Sequence, residues 1–238
     1  MIDYIILIIS SFVAALISGS AGFGGALILL PVVSVLMGTE MAVPVLTVAQ
    51  LIGNIARMAS GWKQIEWKSV GCFCLSALPL SALGAFGFTV LPKEYISRCI
   101  GAALILLVIL KLKNVFTIKG NKRTLLWGGA ITGGLSGLVG SGGPIGAAIF
   151  MTLNLSPVAY IASEATTATA MHILKIAVYS KISAPTHVIM TGFVMGIAMI
   201  AGTIIANKFI KNMKKNMFQK YVAVLLCIVG IYMVIFGS

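Results

Sequence analysis

Ten apolar runs follow one another along the chain with only short polar or glycine-rich joints between them: 2–18, 26–37, 42–60, 68–90, 95–112, 125–137, 144–154, 157–181, 186–207 and 216–236. Runs of this kind belong in a bilayer, whose hydrocarbon core of about 30 Å takes about 20 apolar residues per helical crossing. None alternates with period two, and an open strand edge has no hydrogen-bond partners in lipid, so helices are expected throughout. The predicted fold class is an all-α integral membrane protein of about ten hydrophobic helical segments. Composition agrees: 59% of the 238 residues are hydrophobic and only 9% charged. Soluble domains carry roughly 25% charged residues, and so few charges could not coat a soluble surface. The N-terminal Met1-Ile2-Asp3-Tyr4 starts acidic, without the basic region of a signal peptide, and is read as the start of the first membrane segment.

Seventeen basic and five acidic residues give a net charge of +12. In a soluble chain this would point to nucleic acid. Here the basic residues lie in loops between apolar runs, so no nucleic-acid partner is expected and the positive-inside rule applies. One face collects Lys63, Lys68, Lys111, Lys113, Lys119, Lys122, Arg123, Lys208, Lys211, Lys214, Lys215 and Lys220, and the other only Lys93, Arg98 and Lys181. The richer face is expected to be cytoplasmic, with both termini outside, in a multi-pass protein of the cell's inner membrane. Trp62, Trp67 and Trp127 fall near the cytoplasmic helix ends as an aromatic belt. The cysteines Cys72, Cys74, Cys99 and Cys227 have no zinc or haem spacing and read as packing thiols; no metal or cofactor is expected.

Two runs, 26–37 and 144–154, are too short to span. Each follows a glycine-rich break, Gly19–Gly25 in one case and Gly137–Gly143 in the other. The breaks align at an offset of 118: Ser18-Gly19, Gly22 and Gly24-Gly25 fall on Ser136-Gly137, Gly140 and Gly142-Gly143. Beyond them the alignment takes small shifts, Gly38-Thr39-Glu40 falling on Asn154-Leu155-Ser156. The chain then reads as a duplication: residues 1–113, a basic cytoplasmic linker at 114–124, and residues 125–238. Five segments per half is odd, so the halves enter the membrane from opposite sides as inverted-topology repeats, a pattern of secondary transporters, with broken or re-entrant half-helices at the two glycine motifs.

A helix that starts inside the membrane exposes free N–H groups and partial positive charge, which suits an anion. Gly22, Phe23, Gly24 and Gly25 in the first break, and Ser141, Gly142 and Gly143 in the second, are therefore candidate substrate contacts. Neither cluster is followed by Lys-Ser/Thr or sits in a βαβ unit, so a nucleotide site is set aside. Run 42–60 places Thr47, Gln50, Asn54 and Arg57 on one stripe. Gln50 and Asn54 can line the path or bond between helices, and Arg57 can line it or snorkel to the cytoplasmic interface. Run 157–181 places Glu164, Thr167, His172 and Lys175 on one broad face. Glu164 and Lys175 are about 16 Å apart along a straight helix, too far to pair. Intramembrane ionisable groups are functional candidates by default: Lys175 for attracting the anion near the outer mouth, Glu164 and His172 for proton coupling. Gly192 and Gly196 form a small-xxx-small pair that reads as helix packing.

The stretch Ile17-Ser18-Gly19-Ser20-Ala21-Gly22-Phe23-Gly24-Gly25-Ala26-Leu27-Ile28-Leu29-Leu30-Pro31 resembles the first repeat of the sulfite exporter TauE/SafE family of membrane permeases. Gly133-Gly134-Leu135-Ser136-Gly137-Leu138-Val139-Gly140-Ser141-Gly142-Gly143-Pro144 resembles its second. Pro144 stands where that second motif often carries a further glycine. The resemblance spans nearly the whole chain and implies transport of sulfur-containing anions such as sulfite, sulfonates or their breakdown products. The expected function is a secondary transporter for a small anion, sulfite, a sulfonate or a related organic anion, working by alternating access between the two halves with protons as a candidate coupling ion. An anion channel is the rival within transport. A membrane-embedded enzyme would need a nucleophile–base pair or metal set, which the sequence does not offer, and a scaffold subunit would need no polar backbone at mid-membrane depth. The expected partners are the small anion and the lipid bilayer; the oligomeric state, including a homo-oligomer, is left open.

Overall fold

The computed structural model describes residues 2–86, 105, 120–139, 142–179 and 186–236. Among the described residues there are nine α-helices and no strand: α1 (Ile2–Ala21), α2 (Gly25–Met37), α3 (Thr39–Ser60), α4 (Trp67–Phe86), α5 (Lys122–Val139), α6 (Gly143–Met151), α7 (Pro157–Tyr179), α8 (Thr186–Lys211) and α9 (Lys215–Phe236), with a 3-10 turn at Trp62–Gln64. The expected run 95–112 lies outside the described residues. Among the described residues four helices are long and apolar enough to cross a membrane: Ile2–Ala21, Met41–Ser60, Trp67–Ala85 and Thr186–Lys211. On α8 the large residues Ile189, Phe193, Ile197, Ile200 and Ile204 are exposed, while Gly192, Met195, Gly196, Met199 and Gly202 are buried. Large apolar groups outside and small ones inside are what a lipid-facing helix needs, because close packing rather than burial from water holds such helices together.

The two short runs are short helices. At about 1.5 Å per residue, α2 is about 20 Å long and α6 about 14 Å, both less than a bilayer core. Helices α2 and α6 begin 118 residues apart, at Gly25 and Gly143, and α3 and α7 also begin 118 apart, at Thr39 and Pro157. The small shift expected at this joint is therefore absent from the helix starts. In the first half α2 continues to Met37 and only Gly38, at φ 85, separates it from α3. In the second, α6 stops at Met151, and a turn ending at Asn154 (φ 58) takes up the same length of chain.

Helices α4 and α5 run parallel. Ser76 Oγ donates to the Leu126 carbonyl at 2.7 Å and Cys72 Sγ to that of Lys122 at 3.6 Å. Further along, Gly129, Gly133 and Gly137 lie so close that a Cβ on each would strike the carbonyl of Phe73, Ala77 and Ser81 in turn. Helix α8 runs parallel to both α1 and α3: Gly202 sits against Phe12 and Ala15, Gly19 against Thr203 and Ala206, and Gly192 and Gly196 against Val45, Val48 and Ile52. The Gly192/Gly196 pair is thus a packing feature, as its spacing suggested.

Two apolar cores result. One joins α1, α2, α3 and α8 through Leu7, Ala15, Leu29, Val45, Val188 and Met195. The other joins α4 to α7 and α9 through Phe73, Leu125, Phe150, Ile161 and Phe218, and reaches the ends of α1, α2 and α8 at Ala21, Leu27 and Ile210. Each takes in three consecutive helices of one half and the long fourth helix of the other, and the second adds α9. The joints at 61–66, 120–123, 152–156 and 211–215 meet at one end of the bundle. Glu66 N–H donates to Ser163 Oγ at 2.9 Å, Gln219 Nε2 to Asn154 Oδ1 at 2.8 Å, and Gly120 abuts Leu153. That end carries Lys63, Lys68, Lys122, Arg123, Lys211, Lys214 and Lys215, together with the exposed rings of Trp62, Trp67 and Trp127.

The close approach of α4 and α5 sets a test. Gly133→Val should cost at least the 1–3 kcal/mol typical of overpacking, about that much or more given backbone on the far side. The adjacent Gly134, whose Cβ would find only Leu80 at 3.9 Å, should accept alanine without loss. Thermal unfolding of the two variants in detergent measures the contrast; equal melting temperatures would show that the helices do not approach this closely.

Candidate functional site

The chain leaves α1 at Ala21 and reverses through Gly22 (φ 87) and Gly24 (φ 98) before α2 starts at Gly25. Both angles are in the left-handed region that glycine alone enters freely, which is why the break needs these residues. A Cβ on Gly22 would also meet the ring of Tyr160 at 2.7 Å, whereas one on Gly24 would point into open space. Gly24 caps α2 without any side-chain hydrogen bond. The N–H groups of Gly25, Ala26 and Leu27 are then the donors a helix start leaves without intrahelical partners; the next, Ile28 N–H, reaches the Gly24 carbonyl at 3.1 Å. Gly24, Gly25 and Leu27 are buried, so bulk water does not supply the missing acceptors.

The second break offers less. Gly142 caps α6 at φ −102, Pro144 has no N–H, and Ile145 N–H already bonds to Gly142 at 3.2 Å. Gly143 N–H is the one donor left from the first three helical positions. The two starts approach each other where Gly143 faces Phe23, a Cβ on Gly143 lying 3.8 Å from Phe23 Cβ.

Between the starts lies a cavity of about 50 Å³, lined by Phe23, Gly24, Gly25, Gln50, Asn54, Arg57, Ser136, Gly142, Gly143, Pro144, Glu164, Met171 and His172 among others. A water needs about 10–15 Å³ measured this way, so the space suits about four water-sized groups, the size of a small oxyanion. A smaller cavity of about 10 Å³ adjoins it toward the Gly38 end of α3, lined by Leu30, Val43, Leu46 and Thr47, and shares Ala26, Gln50 and His172 with it.

Arg57 is the hub of the wall. It is 4% exposed, so it does not snorkel. Its Nη1 donates to the Ser18 carbonyl at 3.1 Å and faces Glu164 Oε2 at 3.5 Å, and its Nη2 donates to Asn54 Oδ1. The ion pair to Glu164 ties α3 to α7, and hence one apolar core to the other. Lys175, 1% exposed, donates from Nζ to Ser136 Oγ at 3.1 Å. It reaches the cavity wall through that serine instead of standing at an outer mouth. Gln50 Nε2 and His172 Nδ1 are buried without a hydrogen-bond partner among the described residues, and both side chains line the two cavities. An unpaired buried donor such as the Gln50 amide is costly, and an anion in the cavity would satisfy it.

Of the residues singled out from the sequence, Gly24, Gly25, Phe23, Gln50, Asn54, Arg57, Glu164, His172, Gly142 and Gly143 come together at this cavity. Gly22 shapes the turn behind it, and Ser141 lies outside the described residues. Thr47 and Thr167 bond back to their own helix at the carbonyls of Val43 and Glu164. Gly142 has a packing duty besides, since its Cβ would strike the Thr132 carbonyl and Ser136. The sequence reading missed Ser18 and Ser136 as partners of the cations. The signal was present: the offset of 118 that carries Ser18 to Ser136 also carries Arg57 to Lys175, and each cation is 39 residues beyond its serine.

A multi-pass helical membrane protein with broken helices whose starts meet at a small, charged, buried cavity has the build of a membrane transporter. The family model for the sulfite exporter TauE/SafE family matches residues 7–233. The chain belongs to that family, as its paired glycine motifs implied. No curated protein and no solved structure matches it significantly.

Removing one member of a buried ion pair leaves the other uncompensated, at a cost of about 3–5 kcal/mol. Arg57→Ala should therefore lower the melting temperature sharply, and adding Glu164→Ala to it should recover part of the loss. If the double variant is less stable by the sum of the two single losses, the pair is not coupled.

Proposed function

We propose that the protein is a secondary transporter for a small anion, sulfite, a sulfonate or a related organic anion, in the cell's inner membrane. The observation that carries this is the buried start of α2: three N–H groups without helical partners open onto a cavity that also holds Arg57 and the unpaired Gln50 Nε2. The α2 and α6 starts bind the anion, with Gln50 and Asn54 lining its path. Arg57 and Lys175 supply positive charge, and Glu164 and His172 are placed to exchange a proton with the site. The burial of Phe23, Gln50, Asn54, Arg57 and Glu164 favours a carrier that occludes its substrate over an open pore.

The inverted-repeat reading is supported by the shared offset of the helix starts and by the parallel run of α4 and α5, which leaves the chain emerging from α4 on one face and entering α5 from the other. We assign the basic end to the cytoplasm and both termini to the outside. We assign the moving bodies of alternating access to the two apolar cores, α1–α3 with α8 against α4–α7 with α9, and not to the two halves of the sequence. The cavity and the Arg57–Glu164 pair lie between them.

Gly143→Ala separates binding from folding. Its φ is not in the left-handed region, and the new methyl enters the cavity beside Phe23 with ordinary contact only. In proteoliposomes tested with sulfite, sulfonates and small carboxylates, the wild-type protein should accumulate at least one of them. Gly143→Ala should keep its melting temperature and lose most of that uptake. Wild-type uptake by Gly143→Ala would remove the anion from this cavity. Orientation is read separately: a tag after Ser238 should be reached from outside intact cells and one within 114–122 should not, and a cytoplasmic reading for both would end the inverted repeat.

A further inference from the structure

Arg57 and Lys175 stand in like settings. They are separated by the offset of the glycine breaks, and each donates to the serine 39 residues before it, Arg57 to the Ser18 carbonyl and Lys175 to the Ser136 hydroxyl, both at 3.1 Å. Their counter-charges are not alike. Glu164 faces Arg57 at 3.5 Å. The position 118 residues before Glu164, on α3, is Leu46, and among the described residues Lys175 has no carboxylate within ion-pair distance. The charged groups around the cavity are then two cations, Arg57 and Lys175, and one carboxylate, Glu164. Gln50 and Asn54 from α3, Ser18 from α1 and Ser136 from α5 are uncharged, and Tyr160 and His172 from α7 are counted as neutral. One positive charge is left over in a region where an uncompensated charge is expensive. The starts of α2 and α6 add a partial positive charge that no side-chain change removes.

Resting on the permease reading above, we propose that Glu164 sets the charge of the anion the site accepts. With its carboxylate ionised, the site has one charge to cancel and prefers a monoanion. With that carboxylate neutral, the site has two charges to cancel and prefers a dianion. Glu164 is thus a specificity-determining residue, an internal anion that shares Arg57 with the substrate. The cavity's volume of about 50 Å³ gives the carboxylate and the ligand little room to be far apart, so the one is felt by the other.

Methanesulfonate and sulfate test this, because they are nearly equal in size and hold charges of −1 and −2 throughout neutral and mildly basic pH. Their dissociation constants for the purified full-length protein would be measured at pH 8 and matched ionic strength by ligand-induced thermal shift. The wild-type protein should bind methanesulfonate more tightly. Glu164→Gln, which keeps the shape of the side chain, should reverse the order and change the ratio of the two constants at least tenfold. Lys175→Met should weaken methanesulfonate at least tenfold, and Glu164→Gln combined with Lys175→Met should restore the monoanion preference, the count being again one. A ratio changed by less than threefold in Glu164→Gln, or no restoration in the double variant, would overturn the proposal. So would a wild-type preference for sulfate, a result that stands even if Glu164→Gln does not fold. If the wild-type protein binds neither anion and takes up none in proteoliposomes, the permease reading fails as well, and that outcome is distinct from an anion that binds with unaltered charge preference.

Discussion

Inside a bilayer a peptide N–H that lacks an acceptor has no water to turn to, and a helix that begins there has several such groups at once. The organisation of this protein follows from having two such beginnings. Gly22 and Gly24 take the chain through left-handed angles so that α2 can start away from the end of α1. The N–H groups so exposed need either a ligand or a wall of acceptors, and the wall sets the donors of Arg57 and Gln50 beside one carboxylate, Glu164, which Arg57 already engages. Donors in excess of that carboxylate suit the small anion proposed for the site.

The buried charges also decide how the molecule is held together. Arg57 is fixed by the Ser18 carbonyl from α1, Asn54 from its own helix and Glu164 from α7, so the guanidinium joins three helices. Buried ion pairs contribute little to stability beyond what apolar residues of equal volume would, but breaking them is costly. Such a pair therefore serves better as a latch between two bodies than as glue within one. The tight glycine contacts of α4 on α5, and of α8 on α1 and α3, instead bring helices so close that a methyl group would not fit between them.

Much of this was legible in the sequence, and the limits have physical causes. Long apolar runs separated by short joints placed all nine described helices to within about four residues at either end, because the bilayer leaves a chain no alternative. The third run began three residues earlier than expected, at Thr39, since a single glycine suffices to turn from α2 to α3. The stripe of Gln50, Asn54 and Arg57 was visible from helical periodicity, and so was the face bearing Glu164 and His172. The pairing of Arg57 with Glu164 was not, because it joins helices whose packing depends on contacts 107 residues apart. Nor does a glycine announce its reason: Gly24 opens on the cavity, whereas Gly142, its counterpart by motif, is hemmed in by Thr132 and Ser136. Only the neighbours tell the two apart.

The exchange of α4 and α8 between the two cores has a consequence for how the chain comes together. Neither half of the polypeptide, taken alone, possesses the partner against which its fourth long helix lies: α4 waits for the glycine ridge of α5, and α1 and α3 wait for α8. In the folded protein the close-packing surfaces of α1, α3 and α4 are thus completed by helices from the second half of the chain. A protein severed in the linker would therefore keep these contacts only with both fragments present.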